Sequence, residues 1–178
     1  MLCVKDMVKI YKKRFSSATV AICGLGGLGS NIAVALARAG VGKLILIDFD
    51  KVDITNLHRQ QYKANQIDIN KTNALSENLL EIAPYITVEA HNVCITVDNA
   101  EKLLKNADII CEAFDNAEAK ANIVNFVLSE MPTKYIVAAS GMAGLDSANL
   151  IKTRKISKRF YICGDEKSDV EDGIGLVA

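Results

Sequence analysis

The residues best suited to chemistry lie between Gly24 and Asp115. A glycine turn at residues 24–29, with the sequence GLGGLG, satisfies the pattern G-x-G-x-x-G through Gly24, Gly26 and Gly29. Glycines permit a tight turn and let the backbone approach a phosphate, and a helix that begins there offers unpaired N–H groups and a partial positive charge. Asp48 follows, where a second-strand carboxylate accepts hydrogen bonds from ribose hydroxyls. These residues favour a nucleotide, and both NAD and ATP satisfy them.

Polar residues beyond Asp48 favour ATP over NAD. When a triphosphate is attacked at its α-phosphorus, negative charge builds on the departing pyrophosphate, and fixed cations or Mg²⁺ must stabilise it. Arg59 suits bidentate contact with a phosphate, Lys71 suits contact as a point charge, and Asn56 precedes both. Asp115 offers oxygen ligands to Mg²⁺. The pyrophosphate of a dinucleotide needs fewer cations because its charge is spread over two esters.

Each of these residues also has an ordinary structural explanation. A single arginine or lysine in a loop is usually solvated, and a glycine turn can be only a tight turn. Asp115 stands before Asn116 at the start of a predicted helix and could be its N-cap. The hypothesis of a triphosphate site therefore depends on the joint arrangement of these residues.

The elements that must position them alternate along the chain. Helical spacing predicts helices at 3–15, 28–39, 73–83, 97–105 and 117–129. Apolar runs predict strands at 19–23, 43–48, 86–90, 107–115 and 134–140. Such runs between helices indicate a Rossmann-like α/β fold, with a doubly wound, mostly parallel sheet flanked by helices. After Gly144 apolar and polar residues alternate, which predicts one or two antiparallel strands near the C-terminus. Ligands of such sheets bind at the carboxyl ends of the strands, where Asp48 and Asp115 are expected.

Composition excludes several other classes of protein. The 178 residues suffice for one domain, which we expect to span 1–178. Lysines plus arginines equal aspartates plus glutamates at 21 each, so no basic field favours nucleic acid. No apolar run approaches the length of a membrane span. The five cysteines are scattered without a CxxC pair, and Cys23 and Cys111 lie in apolar runs, which indicates core thiols in a reducing cytoplasm.

Residues 18–163 resemble the ubiquitin-activating-enzyme-like adenylyltransferases, the family of ThiF and MoeB, and most closely a short ThiF subgroup. The resemblance lies in five motifs: GxGGLG at 24–29, DxDxV at Asp48, Asp50 and Val52, NLxRQ at 56–60, a lysine at Lys71 and a strand-end aspartate at Asp115. This combination is much more specific than the glycine pattern alone.

The resemblance implies ATP-dependent activation of a small ubiquitin-like sulfur carrier, ThiS-like and ending in Gly-Gly, for thiazole and thiamine synthesis. The carrier's C-terminal carboxylate attacks the α-phosphate and gives an acyl-adenylate and pyrophosphate. Arg59, Lys71 and Asp115 carry the catalysis, and Asp115 handles Mg²⁺. Nucleotide-binding roles fall on the residues of the motifs and on one neighbour: Gly24, Gly26, Gly27, Gly29, Asp48, Asp50, Asn56, Arg59, Lys71 and Asn116. The same resemblance implies a homodimer.

Alternatives remain open at the level of sequence. The same chemistry could act on a molybdopterin-synthase carrier or on a carboxylate in tRNA modification. An NAD-dependent oxidoreductase or a non-catalytic nucleotide-binding module would leave Arg59, Lys71 and Asp115 as incidental surface residues.

The chain also departs from many relatives in that family. Many carry two CxxC pairs for zinc, and because this chain has none we expect no zinc. Cys163 is the one candidate for a sulfur-handling thiol outside the predicted parallel strands, although its apolar alternating surroundings favour a structural role. Five basic residues between Lys152 and Arg159 are expected on the solvent face of a hairpin, where they could help to dock an acidic carrier. The subgroup continues beyond the last residues found here, so we expect a domain truncated at its C-terminus.

Overall fold

Seven strands pair into one sheet in the part of the chain that the structure describes. The computed structural model describes residues 13, 15–141 and 146–167. The strands are β1 (Thr19–Cys23), β2 (Lys43–Asp48), β3 (Thr87–Asn92), β4 (Ile109–Glu112), β5 (Tyr135–Ala139), β6 (Lys152–Lys155) and β7 (Phe160–Gly164). Their order across the sheet is β3-β2-β1-β4-β5-β7-β6. All neighbours pair in parallel except β6 and β7, which are antiparallel. The predicted Rossmann-like fold with an antiparallel pair near the C-terminus is confirmed.

Among the elements that the structure describes from end to end, four helices cover the two faces of this sheet. They are α1 (Gly27–Ala39), α2 (Lys71–Ile82), α3 (Val97–Leu104) and α4 (Ala117–Glu130). Alternate residues of β1 and β2 point to opposite faces and belong to two separate apolar clusters. One cluster includes Ala33 of α1 and Leu75 of α2, and the other includes Leu104 of α3 and Ile123 of α4. Burial on both faces explains why the central strands are nearly continuous apolar runs.

The order of the strands determines where a ligand can bind. The chain passes from β1 to β2 and β3 on one side and then returns to β4 and β5 on the other. The connections after β1 and β4 therefore diverge to opposite faces and leave a crevice beyond the carboxyl ends of these two strands. The glycine turn follows β1, and Asp115 follows β4, so both lie at this crevice.

Most predicted boundaries agree with the structure to within a few residues. The first two strands are predicted at their observed bounds. The fourth strand is shorter than predicted because it ends at Glu112, so Asp115 lies in the following loop and not on the strand. Of the predicted helix at 3–15, only residues 13 and 15 are described, and both are helical. No helix among the described residues combines the length and the apolar character that crossing a membrane requires.

Candidate functional site

A cleft of about 730 Å³ opens beyond the carboxyl ends of β1, β2, β4 and β5. Its walls include all but one of the residues that the sequence nominated. Those that line it are Gly24, Gly26, Gly27, Asp48, Asp50, Asn56, Arg59, Lys71, Asp115 and Asn116. Its volume lies within the range typical of small-molecule sites.

The glycine turn needs glycine at two positions for steric reasons. Gly24 has a φ of +89°, and a Cβ there would lie 2.8 Å from the carbonyl oxygen of Ala113. At Gly29 a Cβ would lie 1.9 Å from the carbonyl oxygen of Gly24. Gly29 is predicted to bind the nucleotide together with the other glycines of the turn, but it does not line the cleft. It allows α1 to pack directly against the turn, so that the N-terminus of this helix faces the cleft.

Asp48 fixes both loops that leave the central strands. It is the last residue of β2 and is 8% exposed. Its Oδ2 accepts a hydrogen bond of 2.6 Å from the backbone N–H of Leu25, and its Oδ1 accepts one of 2.8 Å from the N–H of Asp50. Each carboxylate oxygen can accept a further hydrogen bond. The carboxylate is therefore oriented, at the rim of the cleft, to accept from ligand hydroxyls.

A buried lysine supplies one positive charge of the cleft. Lys71 is the first residue of α2 and is 6% exposed. Its Nζ lies 2.8 Å from Oδ2 of Asp50, whose side chain is half-exposed. A buried ammonium without a partner is costly, so Asp50 stabilises the charged lysine at this position.

Arg59 supplies a second cation from the segment that follows β2. A short 3-10 helix at Ile54–Asn56 begins this segment, and the carboxylate of Asp53 caps it by accepting from the N–H of Thr55 at 2.7 Å. Hydrogen bonding to the hydroxyl of Thr55 also lowers the pKa of Asp53. The guanidinium Nη1 of Arg59 donates to Oδ1 of Asn56 at 2.6 Å. Asn56 thus holds the guanidinium against one wall of the cleft.

The loop after β4 contains two neighbouring residues, one that caps α4 and one whose side chain faces the cleft. Asn116 is the N-cap of α4, because its Oδ1 accepts from the N–H of Ala119 at 2.8 Å. Asp115 is therefore not the cap that its position allowed, and its exposed side chain lines the cleft. Asn116 lines the same wall of the cleft while its side chain caps α4.

Gln60 also lines the cleft, although it is not among the residues predicted to bind the nucleotide. It is 7% exposed, and its buried Oε1 has no hydrogen-bond partner among the described residues. A buried carbonyl oxygen without a donor is unfavourable, and a ligand in the cleft could supply that donor. Its place at the end of the NLxRQ motif was the available signal.

Lys120 is a second residue of the cleft that the sequence does not predict. Its Nζ contacts both carboxylate oxygens of Glu112, at 3.0 and 2.8 Å, and donates to the carbonyl oxygen of Ala139 at 2.7 Å. Glu112 is 1% exposed, and its Oε1 also accepts from the N–H of Phe114 at 2.7 Å. Burial raises the pKa of Glu112, while the ion pair with Lys120 opposes that rise. The pair joins β4, β5 and α4 at the floor of the cleft.

Residues of β6 and β7 do not line this cleft. Cys163 is half-buried in β7, and its Sγ lies 3.3 Å from the hydroxyl of Thr153. It does not line the cleft. Every residue of β6 is exposed, as predicted for the solvent face of a hairpin, whereas Arg159 of the same basic set is half-buried and donates to the carbonyl oxygen of Pro132. Of the predicted basic residues there, Arg154 pairs with Glu166.

Oxygen ligands in the cleft suit a metal that arrives with a phosphate. Among the described residues no three or more histidines, cysteines, aspartates or glutamates are grouped so that they could hold a metal ion. Mg²⁺ is usually held by one or two carboxylates together with substrate phosphates and water. Asp115 therefore fits Mg²⁺ that is bound to a nucleotide better than a metal held by protein alone.

Comparison with known proteins gives relatives that share this region of the chain. Ubiquitin-like modifier-activating enzyme 5 of Caenorhabditis briggsae is 39% identical over 126 residues, which cover 71% of this chain and 27% of that protein. The adenylyltransferase and sulfurtransferase MOCS3 of the same organism is 37% identical over 120 residues, which cover 67% of this chain and 30% of that protein. The chain therefore spans about three tenths of the length of these curated relatives.

Solved structures and a family model agree with these relatives. The crystal structure of the E. coli tRNA N6-threonylcarbamoyladenosine dehydratase TcdA in complex with ATP matches with a TM-score of 0.77 and 26% identity, covering 84% of this chain and 62% of that one. The model of the ThiF family matches residues 4–161. Because this match spans most of the sequence, the chain belongs to the ThiF family.

Proposed function

We propose that the chain binds Mg-ATP and transfers its adenylyl group to a carboxylate. A carboxylate oxygen attacks the α-phosphorus, a new P–O bond forms, and the bond to the bridging oxygen breaks so that pyrophosphate leaves with the electron pair. The observation that carries this proposal is the presence of Arg59 and Lys71 on the walls of the cleft that the glycine turn also lines. Two oriented cations beside a helix N-terminus suit a triphosphate that must lose pyrophosphate.

The residues of the cleft divide this work. Asp48 accepts from the ribose hydroxyls, and the N–H groups at the start of α1 face the phosphates. Arg59 and Lys71 bind phosphate oxygens, with Asn56 and Asp50 orienting them. Asp115 holds Mg²⁺, which supplies further charge neutralisation. The carboxylate is itself the nucleophile, so catalysis requires positioning and charge stabilisation and no protein nucleophile.

We further propose that the carboxylate is the C-terminal glycine of a small ubiquitin-like carrier. Two relatives support this class of substrate, since one is named a ubiquitin-like modifier-activating enzyme and the other an adenylyltransferase and sulfurtransferase. A ThiS-like carrier for thiazole synthesis, bound by a homodimer in the cytoplasm, remains our specific proposal. A molybdopterin-synthase carrier would use the same cleft and the same chemistry.

A carboxylate carried by tRNA is the second candidate substrate. The observation in its favour is the similarity to TcdA, a tRNA N6-threonylcarbamoyladenosine dehydratase whose structure contains ATP and which matches 84% of this chain. An adenylyl group would activate such a carboxylate in the same way. The two candidates differ in the acceptor and not in the nucleotide site.

The deciding experiment is acceptor-dependent ATP–pyrophosphate exchange by the full chain. We expect exchange with one of three acceptors, which are a ThiS-like carrier ending in Gly-Gly, a molybdopterin-synthase carrier, and tRNA bearing N6-threonylcarbamoyladenosine. Arg59→Ala and Asp115→Ala should each lower exchange by at least about 100-fold, the scale for loss of one transition-state contact. Arg38→Ala, an exposed arginine at the end of α1, is the matched control and should leave exchange unchanged. Absence of exchange with every acceptor, combined with tight binding of NAD, would refute the proposal in favour of an oxidoreductase.

A further inference from the structure

The first turn of α1 is joined to the segment that carries Arg59 by two adjacent side chains. The hydroxyl of Ser30 donates to the carbonyl oxygen of Gly26 at 2.6 Å and accepts from the N–H of Gln61 at 3.2 Å. The amide nitrogen of Asn31 donates to the carbonyl oxygens of Gly27, at 2.6 Å, and of Arg59, at 3.0 Å. The glycine turn and the arginine segment thus share their hydrogen-bonding partners.

A further bond fixes the side chain of Asn31 in this position. Its Oδ1 accepts from Nε2 of Gln61 at 2.7 Å. The orientation of its amide group follows from its neighbours, because the carbonyl oxygens of Gly27 and Arg59 can only accept. An oxygen placed between them would face two other oxygens. The amide nitrogen therefore lies between the two carbonyls, and the amide oxygen faces Gln61.

We propose that Asn31 is a positioning residue that sets the place of Arg59 relative to the glycine turn. Asn56 orients the guanidinium, and Asn31 fixes the backbone from which it extends. A phosphate that binds to both the turn and the guanidinium needs a constant distance between them, and the amide of Asn31 spans that distance. This inference rests on the proposed function, since it assumes that the cleft binds ATP.

The helix itself gains little from an asparagine at this position. Asn31 is exposed, and asparagine is a poorer helix former than alanine. A purely structural role would therefore act through the hydrogen bonds of Asn31 to Gly27, Arg59 and Gln61, and it predicts that Asn31→Ala lowers the melting temperature without changing the affinity for ATP. A positioning role predicts a loss of ATP affinity that depends on the presence of Arg59, so the two accounts give different results.

The test is a double-mutant cycle on the affinity of the full chain for ATP, measured by calorimetry. Asn31→Ala should weaken binding by about three- to tenfold, the equivalent of one net hydrogen bond. In the Arg59→Ala background the same substitution should change affinity less than about twofold, because its effect passes through Arg59. Asn125→Ala is the matched control, since Asn125 is an exposed helical asparagine on α4 away from the cleft. It should leave affinity unchanged.

Two results would overturn the inference while leaving the proposed function intact. One is an Asn31→Ala protein that binds ATP as tightly as the wild type when Arg59→Ala does not. The other is an equal fold-loss from Asn31→Ala in the presence and absence of Arg59, which would show that Asn31 acts independently of it. A wild-type chain that fails to bind ATP would instead refute the proposed function, and this inference with it.

Discussion

Replacing Lys120 with methionine should destabilise the protein by an amount that depends on pH. Methionine keeps much of the length of the side chain and removes the ammonium that contacts Glu112 and the carbonyl oxygen of Ala139. Glu112, 1% exposed, would then keep the N–H of Phe114 as a hydrogen-bond donor but lose its ion-pair partner. A buried carboxylate without a counter-charge is strongly unfavourable.

Two estimates limit the expected loss in the free energy of unfolding. Breaking a buried ion pair by removing one partner costs about 3–5 kcal/mol. Protonation limits this cost, because a neutral carboxyl group needs no counter-charge. Protonating at pH 7 a group whose ordinary pKa is 4.5 costs about 3.4 kcal/mol, since each pH unit corresponds to about 1.4 kcal/mol. We therefore expect Lys120→Met to lower the free energy of unfolding at pH 7 by about 3 kcal/mol.

The sign of the pH dependence follows from the direction of the pKa shift. Without Lys120, burial raises the pKa of Glu112 in the folded state above its value in the unfolded chain. Such a group favours folding fully below its unfolded pKa and loses that contribution as pH rises towards its folded pKa. The upper bound on the cost of leaving Glu112 without a counter-charge therefore falls from about 3.4 kcal/mol at pH 7 to about 0.7 kcal/mol at pH 5.

Urea unfolding of wild type and variant at pH 5, 6 and 7 measures this difference. Lys102→Met, which removes an exposed lysine on α3, is the control and should cost less than about 0.5 kcal/mol at every pH. In a Glu112→Gln background, Lys120→Met should cost the same at pH 5, 6 and 7, because the titrating carboxyl group is absent. A Lys120→Met protein that loses under about 1 kcal/mol at pH 7, or loses the same amount at pH 5, would refute the assignment of this ion pair.

Two further predictions concern a glycine of the turn and a cysteine that lines the cleft. Gly29→Ala should lower the free energy of unfolding by about 3 kcal/mol in urea titrations, because its methyl group would meet the carbonyl oxygen of Gly24 at 1.9 Å. Gly26→Ala is its control, since a Cβ there meets nothing closer than 3.9 Å, and equal stability of the two variants would contradict this steric account. Cys94 is exposed and lines the cleft, so ATP should slow its alkylation at least about threefold in peptide mapping. Buried Cys111, whose pKa burial raises to about 11, should stay unmodified in the native protein, and a Cys94 rate that is indifferent to ATP would argue against nucleotide binding there.

Local pattern was sufficient to predict the centre of the sheet. Residues 19–23 and 43–48 are buried on both faces, so every position is apolar or terminal and the bounds are plain in the sequence. The fourth strand was predicted too long because Ala113 and Phe114 continue its apolar run although they lie beyond the end of the strand. Its ladders with β1 and β5 stop at Glu112, beyond which the chain turns along the cleft. The residue at which a strand stops pairing depends on its neighbours in the fold, and an apolar run in the sequence does not indicate it.

Sequence motifs were sufficient to predict the residues that line the cleft, whereas they did not predict the residues that hold the cleft together. Asp48, Arg59 and Lys71 stand in recognisable patterns, and all three line the cleft. Lys120 occupies an ordinary position in the first turn of a helix, where a lysine is normally solvated. Its role depends on Glu112 and the end of β5 meeting the same ammonium. Contacts of this kind join residues distant in sequence and leave no periodic signal.

The cations of the cleft already have partners before a nucleotide binds, and the chemistry of those partners determines how binding proceeds. A triphosphate approaching Lys71 competes with the half-exposed carboxylate of Asp50, and one approaching Arg59 competes with the neutral amide of Asn56. Because these bonds exist first, each side chain has lost much of its rotational freedom before the ligand arrives, which lowers the entropic cost of binding. Displacing a half-exposed carboxylate is also favourable for its solvation, since water can take the place of the ammonium. A triphosphate carries more negative charge than the groups it replaces, so in the proposed reaction the exchange becomes more favourable as negative charge builds on the departing pyrophosphate. The pairs that stabilise the empty cleft are therefore compatible with a site that binds the transition state more tightly than the ground state.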